Sequence, residues 1–194
     1  MSVASQDQDQ RSAAVTPGRT GGPTNAEPPW HSTEIPYWPA EQKRVLQWAP
    51  ARALVRTLRD YDGLKRGGFL VPVRRALIVL RHRFWSAVTG ADIPLGTRIG
   101  GGIKFPHPNG VVIHPGAVIG INCCIFQQVT LGAQRQGVPT IGAHVEIGAG
   151  AKILGAVRVG DHARIGANAV VLCDVPEGAT AVGIPARIIP PAGG

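Results

Sequence analysis

The chain has 194 residues, enough for one compact domain with a substantial core, and 44% of them are hydrophobic against 16% charged. Twenty Lys and Arg face twelve Asp and Glu, and the three cysteines carry neither a metal-ligand spacing nor a disulfide framework, which argues against a stapled secreted module or a structural zinc site. No apolar run reaches membrane-spanning length and no basic-then-apolar signal opens the chain, so no membrane association is expected and the expected location is the cytoplasm.

Residues 1–38 are dominated by Gln, Asp, Ser, Thr, Pro and Gly, with few apolar anchors, and read as a disordered tail. From Pro39 to about Leu64, Val45, Trp48, Ala49, Arg52, Val55 and Leu58 recur at three- and four-residue steps, which predicts helix; Pro50 interrupts the run, so one helix or two short ones fit equally. A second helix is predicted from about Val73 to Val88, with Leu77, Leu80, Phe84 and Val88 along one stripe. Together they would form a helical cap over residues 39–90. The net charge of +8 is concentrated here, with eleven Lys and Arg against three acidic residues between positions 41 and 85. Neither an aromatic stacking platform nor a recognition motif accompanies that charge, so it reads as a solvated face or a field steering an anionic substrate, and no nucleic acid partner is expected.

Residues 93–188, within a domain expected over 91–190, carry a repeat of six. Branched apolar residues recur at Ile93, Ile99 and Phe105, then from Ile113 through Ile119 and Ile125 to Leu131, then from Ile141 through Ile147, Ile153, Val159 and Ile165 to Val171. One inward anchor per hexad, often followed by Gly, predicts short flat strands joined by tight turns, three to a coil, with coils stacked so that the anchors form internal ladders. The fold class is therefore an all-β solenoid of hexapeptide repeats with a short α-helical amino-terminal region. Two breaks in the period, at Pro106-His107-Pro108-Asn109-Gly110 and at residues 133–138, predict loops leaving the solenoid, where a scaffold of this kind places its chemistry. Adjacent Cys123 and Cys124 point to opposite sides of a strand, so one of them is a small core residue. His144 and His162 read as turn residues rather than zinc ligands, and no metal is expected.

From Ala91 to Pro190 the chain resembles the serine acetyltransferase group of the hexapeptide-repeat acyltransferases. The matching stretches are Ala91-Asp92-Ile93, residues 109–113 (NGVVI), 126–132 (FQQVTLG), 147–155 (IGAGAKILG) and 181–187 (AVGIPAR). The resemblance implies a left-handed parallel β-helix, a handedness that the repeat alone does not give and that departs from the usual crossover rule. It also implies a homotrimer with active sites between subunits, acetyl-coenzyme A as co-substrate and no permanently bound cofactor. The implied reaction is O-acetyl transfer to a hydroxyl acceptor, best named as L-serine, giving O-acetylserine for cysteine biosynthesis. The alternatives are a different hydroxyl or amine acceptor, such as a sugar or a biosynthetic intermediate, or a non-catalytic solenoid acting as an assembly module. Because the sequence ends Pro190-Pro191-Ala192-Gly193-Gly194, without the branched apolar terminus of partners of the sulfhydrylase, no stable cysteine synthase complex is expected.

On the same resemblance His107 is the catalytic histidine and Asp92, fifteen residues earlier, the carboxylate that orients it. An imidazole titrating near neutrality can take the proton of a hydroxyl as that oxygen attacks a thioester, and a carboxylate on its other nitrogen fixes the tautomer and stabilises the imidazolium. Gly132, Ala133, Ala149, Gly150 and Ala167 match small residues lining the pantetheine groove, and Lys152 and Arg187 could meet phosphates. Arg135 could meet an acceptor carboxylate and His114 could line the site. Two departures bear on the acceptor: the family has Asp where Pro106 stands and Arg-His-Pro where Gly137-Val138-Pro139 stands. A site without those polar groups should discriminate poorly for serine, because an unpaired buried ammonium is costly.

Overall fold

Residues 31–42, 48–64 and 70–191 are described by the structure, a computed structural model; Val45 and residues 1–30 of the expected tail lie outside them. Short parallel strands stack on three faces of a left-handed β-solenoid. Face one carries β1 (Arg98–Ile99), β3 (Val118–Ile119), β6 (Thr140–Ile141) and β9 (Arg158–Val159). Face two carries β4 (Cys124–Ile125), β7 (Glu146–Ile147), β10 (Arg164–Ile165) and β12 (Thr180–Val182), closed by an antiparallel β13 (Arg187–Ile189). Face three carries β2 (Val112–Ile113), β5 (Thr130–Gly132), β8 (Lys152–Leu154) and β11 (Val170–Val171), with Asp92 bridging to Val112 below them.

Register follows the hexads. Thr140 pairs with Arg158 and Glu146 with Arg164, each one coil of three hexads apart. The coil holding residues 106–110 is two residues longer, Arg98 pairing with Val118, and the coil holding 133–138 is four longer, Val118 pairing with Thr140. All thirteen anchors are buried, at 8% exposure or less. Each such side chain contributes about 1.5–3 kcal/mol on removal from water, so the ladders are the main source of cohesion. Cys123 joins this core while Cys124 is half-buried, and burial pushes the Cys123 thiol up to about 12. The uppermost coil departs from the period: Arg164 pairs with Thr180 and Val159 bridges to Val175, two residues short of three hexads.

Gly120 shows why the turns tolerate so little. It stacks over Gly142 so closely that an added Cβ would run into the Gly142 carbonyl and the Ala143 amide. Glycine is required there by the approach of successive coils.

Two helices cap the first coil. α1 (Pro50–Gly63) begins at Pro50, so the proline starts this helix rather than interrupting one; its fixed φ and missing N–H suit the first helical position. α2 (Val71–Thr89) ends at Gly90, whose φ of +65° supplies the left-handed cap. The inward face of α2 is Ile78, His82 and Thr89, with Trp85 packed against the core. The apolar stripe read from the sequence, Leu77, Leu80, Phe84 and Val88, stands exposed. Residues 31–42 run as a strap along the edge between faces one and two. Asn122 holds the strap by accepting from the Tyr37 amide (2.6 Å) and donating to the Ser32 and Ile35 carbonyls (2.7 and 2.8 Å). Glu41 locks its far end, paired side-on with Arg59 (3.0 and 2.8 Å) and accepting from the Ile103 amide (3.1 Å). Among the described residues no helix is long and apolar enough to cross a membrane.

Candidate active site

Successive coils put the two inserted loops on different edges of the prism. Residues 106–110 lie between Lys104, which bridges to Cys124 on face two, and β2 on face three. His107 is exposed on that edge. The next turns of the same edge hold Gln127 and Gln128, then Ala149 and Gly150, then Ala167, so three of the small residues expected to line the donor groove climb away from His107 in a column. The stack is tied by backbone bonds: Gln128 N donates to Asn109 O (2.9 Å), Gly150 N to Gln127 O (2.8 Å) and Asn168 N to Ala149 O (2.8 Å). An added Cβ on Gly150, at φ +73°, would meet the Asn168 side-chain oxygen. Lys152 stands beside this column, its ammonium on the Gln128 carbonyl (2.5 Å). Arg187 is exposed on β13 near the top.

The second loop lies on the edge between faces three and one. Gly132 ends β5, and Ala133 and Arg135 follow it around a turn closed by reciprocal Gln134–Gly137 backbone bonds (2.9 and 3.0 Å). His114 lies on the same edge one coil below, its Nδ1 accepting from the Gly116 amide (3.1 Å). Within one chain, therefore, the structure brings His107, Ala149, Gly150, Lys152 and Ala167 to one edge and Gly132, Ala133, Arg135 and His114 to another. A site needing both sets forms only where the edge of one subunit meets the other edge of its neighbour.

Asp92 is fixed on the floor of face three: its amide donates to Val111 O (2.8 Å) and its carbonyl accepts from Ile113 N (2.9 Å). No hydrogen bond joins its carboxylate to His107 in the isolated chain. Its charge instead acts on His82, buried on α2, a histidine that the period-based reading of this helix passed over. The Thr57 hydroxyl donates to Leu54 O (2.6 Å), so at 2.9 Å from the His82 Nδ1 it must accept, which places a proton on that nitrogen. Burial holds His82 below the usual histidine value, opposed by the Ile93 carbonyl and the Asp92 charge.

A cleft of about 880 Å³ opens between the cap, the strap and the His107 loop. Trp48, Val55 and Val88 from the cap, Pro39 and Glu41 from the strap, and Lys104, Phe105, Pro106 and His107 from the first coil line it. Asp60 and Asp62 do not. Asp60 pairs with Arg81 at 3.2 Å on the outside of the cap, and Asp62 faces Arg98 and Val118 across face one. Gln127, directly above the His107 loop, has a buried amide oxygen that accepts no hydrogen bond among the described residues. His144 and His162 occupy turns with φ of +53° and +57° on the strap edge, away from this cleft; their Nδ1 atoms are 3.0 Å apart, and His31 packs on His144 at 4.6 Å. Among the described residues no cluster of His, Cys, Asp and Glu could hold a metal ion.

The family model for bacterial transferase hexapeptide (six repeats) matches residues 139–173. A serine acetyltransferase of Synechococcus elongatus is 47% identical over 106 residues, covering 53% of this chain; the chain spans only 43% of that relative's length. A serine acetyltransferase of Helicobacter pylori is 49% identical over 162 residues, covering 76% of this chain and 93% of the relative. Among solved structures, serine acetyltransferase of Brucella abortus in complex with coenzyme A superposes with a TM-score of 0.65 at 33% identity, covering 75% of this chain and 58% of that one. With the hexad ladders, the inserted His107 loop and a relative matched over nearly its whole length at close to half identity, the chain belongs to the serine acetyltransferase family of hexapeptide-repeat, left-handed β-helix acyltransferases.

Proposed function

We propose that the chain is an O-acetyltransferase that moves an acetyl group from acetyl-coenzyme A to a hydroxyl acceptor. The names of its relatives point to L-serine as that acceptor, with O-acetylserine as a precursor of cysteine. The observation that carries the reading is His107 at the foot of a column of small residues, beside a cleft large enough for an acceptor. His107 takes the proton of the acceptor hydroxyl as its oxygen attacks the acetyl carbonyl carbon. The carbon–sulfur bond breaks, and the imidazolium returns the proton to the leaving thiolate, so an acetyl ester and free coenzyme A are the products. Asp92, on the same floor, orients and balances the imidazolium once the donor and the neighbouring subunit complete the site.

The pantetheine arm would lie along Ala149, Gly150 and Ala167 of one subunit and Gly132 and Ala133 of the next, with Lys152 and Arg187 toward the phosphates. Arg135 would reach His107 from that same neighbour, with His114 below it. A homotrimer satisfies this demand, because rotation by a third of a turn brings unlike edges of identical prisms together. Residues 39–90 would act as the cap and 91–190 as the acyltransferase domain. Calorimetric titration of acetyl-coenzyme A separates this reading from a non-catalytic assembly module: saturable binding with a Kd of roughly 1 µM to 1 mM, the ordinary range of enzyme substrates, is expected, and no binding up to millimolar donor contradicts it. A second acceptor reading is favoured by Pro106 and Val138, which place no charge where a zwitterion would need one.

A further inference from the structure

The outward face of α2 carries a row that no described residue covers. Leu70, Val73, Leu77, Leu80 and Phe84 follow one another at alternating steps of three and four, Val88 extends the row, and each is 41–67% exposed. Single apolar residues on a surface are ordinary, but a continuous row of large ones marks an interaction surface. Its borders are cationic. At about 100° per residue the row spans about 80° of the helix, with Arg74 and Arg81 along one border and Arg83 along the other. In its 19 residues α2 has four Arg and no Asp or Glu. Arg81 reaches Asp60 at 3.2 Å and Arg75 donates to the Tyr61 hydroxyl (3.0 Å), whereas Arg74 and Arg83 pair with no carboxylate among the described residues. Trp48, 73% exposed, lines one cleft with Val88, so an aromatic ring continues the row at its carboxy-terminal end.

Charge and shape together select the occupant. A second copy of α2 laid on this face would bring cationic borders against cationic borders, with no acidic residue on either helix to answer them. The row is also a ridge one side chain wide rather than a groove that could seat a partner helix. A bilayer with anionic headgroups answers both features: its interfacial region takes an apolar ridge without a preformed groove, and its phosphates meet the guanidinium borders. We propose that the outward face of α2 docks the protein on an anionic lipid surface, with Leu77, Leu80 and Phe84 in the boundary between headgroups and acyl chains and Arg74 and Arg83 on lipid phosphates. The helix lies on the surface and spans nothing, in keeping with the described residues, among which no helix is long and apolar enough to cross a membrane. The proposal does not depend on the acyl-transfer reading.

Flotation with vesicles is measured for the full chain, for Leu80→Glu and for the double variant Arg74→Glu/Arg83→Glu, all at exposed positions, with the fold of each checked by circular dichroism and thermal melting. The vesicles are phosphatidylcholine alone, or phosphatidylcholine and phosphatidylglycerol in equal parts. The parent is expected to float with the phosphatidylglycerol vesicles and not with the neutral ones, and to bind more weakly as salt is raised to about 1 M, where the screening length shrinks to ~3 Å. In both variants the partition onto anionic vesicles should fall roughly tenfold or more. Equal flotation with neutral and anionic vesicles, or a Leu80→Glu chain that floats like the parent, overturns the proposal. Absence of flotation overturns it too, and a particle mass by light scattering that then drops in Leu80→Glu assigns the face to a second copy of the chain.

Discussion

His82 and His144 both titrate below the ordinary histidine value of 6.5, each chiefly because burial penalises the charged ring. For His144 the neighbouring His31, His162, Lys104 and Arg164 add to the lowering. A histidine depressed in the folded state costs nothing above 6.5, where both states are neutral. As pH falls below that value the unfolded chain takes up protons first, so stability drops and goes on dropping until the folded ring also titrates. Urea midpoints should therefore fall between pH 7.5 and 5.5, and the fall should be shallower in His82→Gln; a slope unchanged by that replacement contradicts the assignment. His107 and Asp92 could be named from the sequence because chemistry and register with a family point to them. His82 could not, because nothing local distinguishes a histidine on a helix face, and its meaning comes from Thr57, twenty-five positions away, and from Asp92 on the coil beneath. The Glu41–Arg59 lock escaped the sequence for the same reason, since its third member is the Ile103 amide.

At the level of elements, the ladder of hexads was fully legible: one inward anchor per strand leaves no other register, as the burial of every residue from Ile93 to Val171 in that series bears out. The glycines that follow many anchors are the other half of the same pattern. Gly120→Ala should force adjacent coils apart and cost about 1–3 kcal/mol, the usual scale of overpacking, read as a lowered denaturation midpoint. A midpoint within error of the parent would show that the turns have slack. The shortened last coil was not legible, because the step from Val171 to Val175 carries no hexad marker and is fixed by pairing of Val175 with Val159. Which face of α2 packs on the coil was not legible, because the helix carries two stripes at helical spacing. The one containing Ile78 and His82 faces the coil, and the more hydrophobic one, Leu77 to Val88, faces outward. Period alone cannot choose between them; the polar partners of the buried stripe do.

At the scale of the whole molecule, the placement of the two inserted loops on different edges decides what a single chain can do. If His107 of one subunit and Arg135 of the next serve one site, His107→Ala and Arg135→Ala chains, each weak alone, should recover roughly a quarter of the parental activity when co-refolded in equal amounts, the statistical share of interfaces with both residues intact. No recovery would place both residues in sites of one subunit. The basic cap belongs to the same picture, with Arg59 and Arg81 committed to Glu41 and Asp60 while Arg52, with Lys104 of the first coil, lines the cleft. The claim on which all of this depends is that His107 is the base of an acyl transfer. The direct measurement is thiol release from acetyl-coenzyme A by the parent and by His107→Ala across a set of hydroxyl acceptors that includes L-serine. A loss of roughly a hundredfold or more in kcat with donor affinity retained is the predicted result, and unchanged turnover in the variant would contradict it.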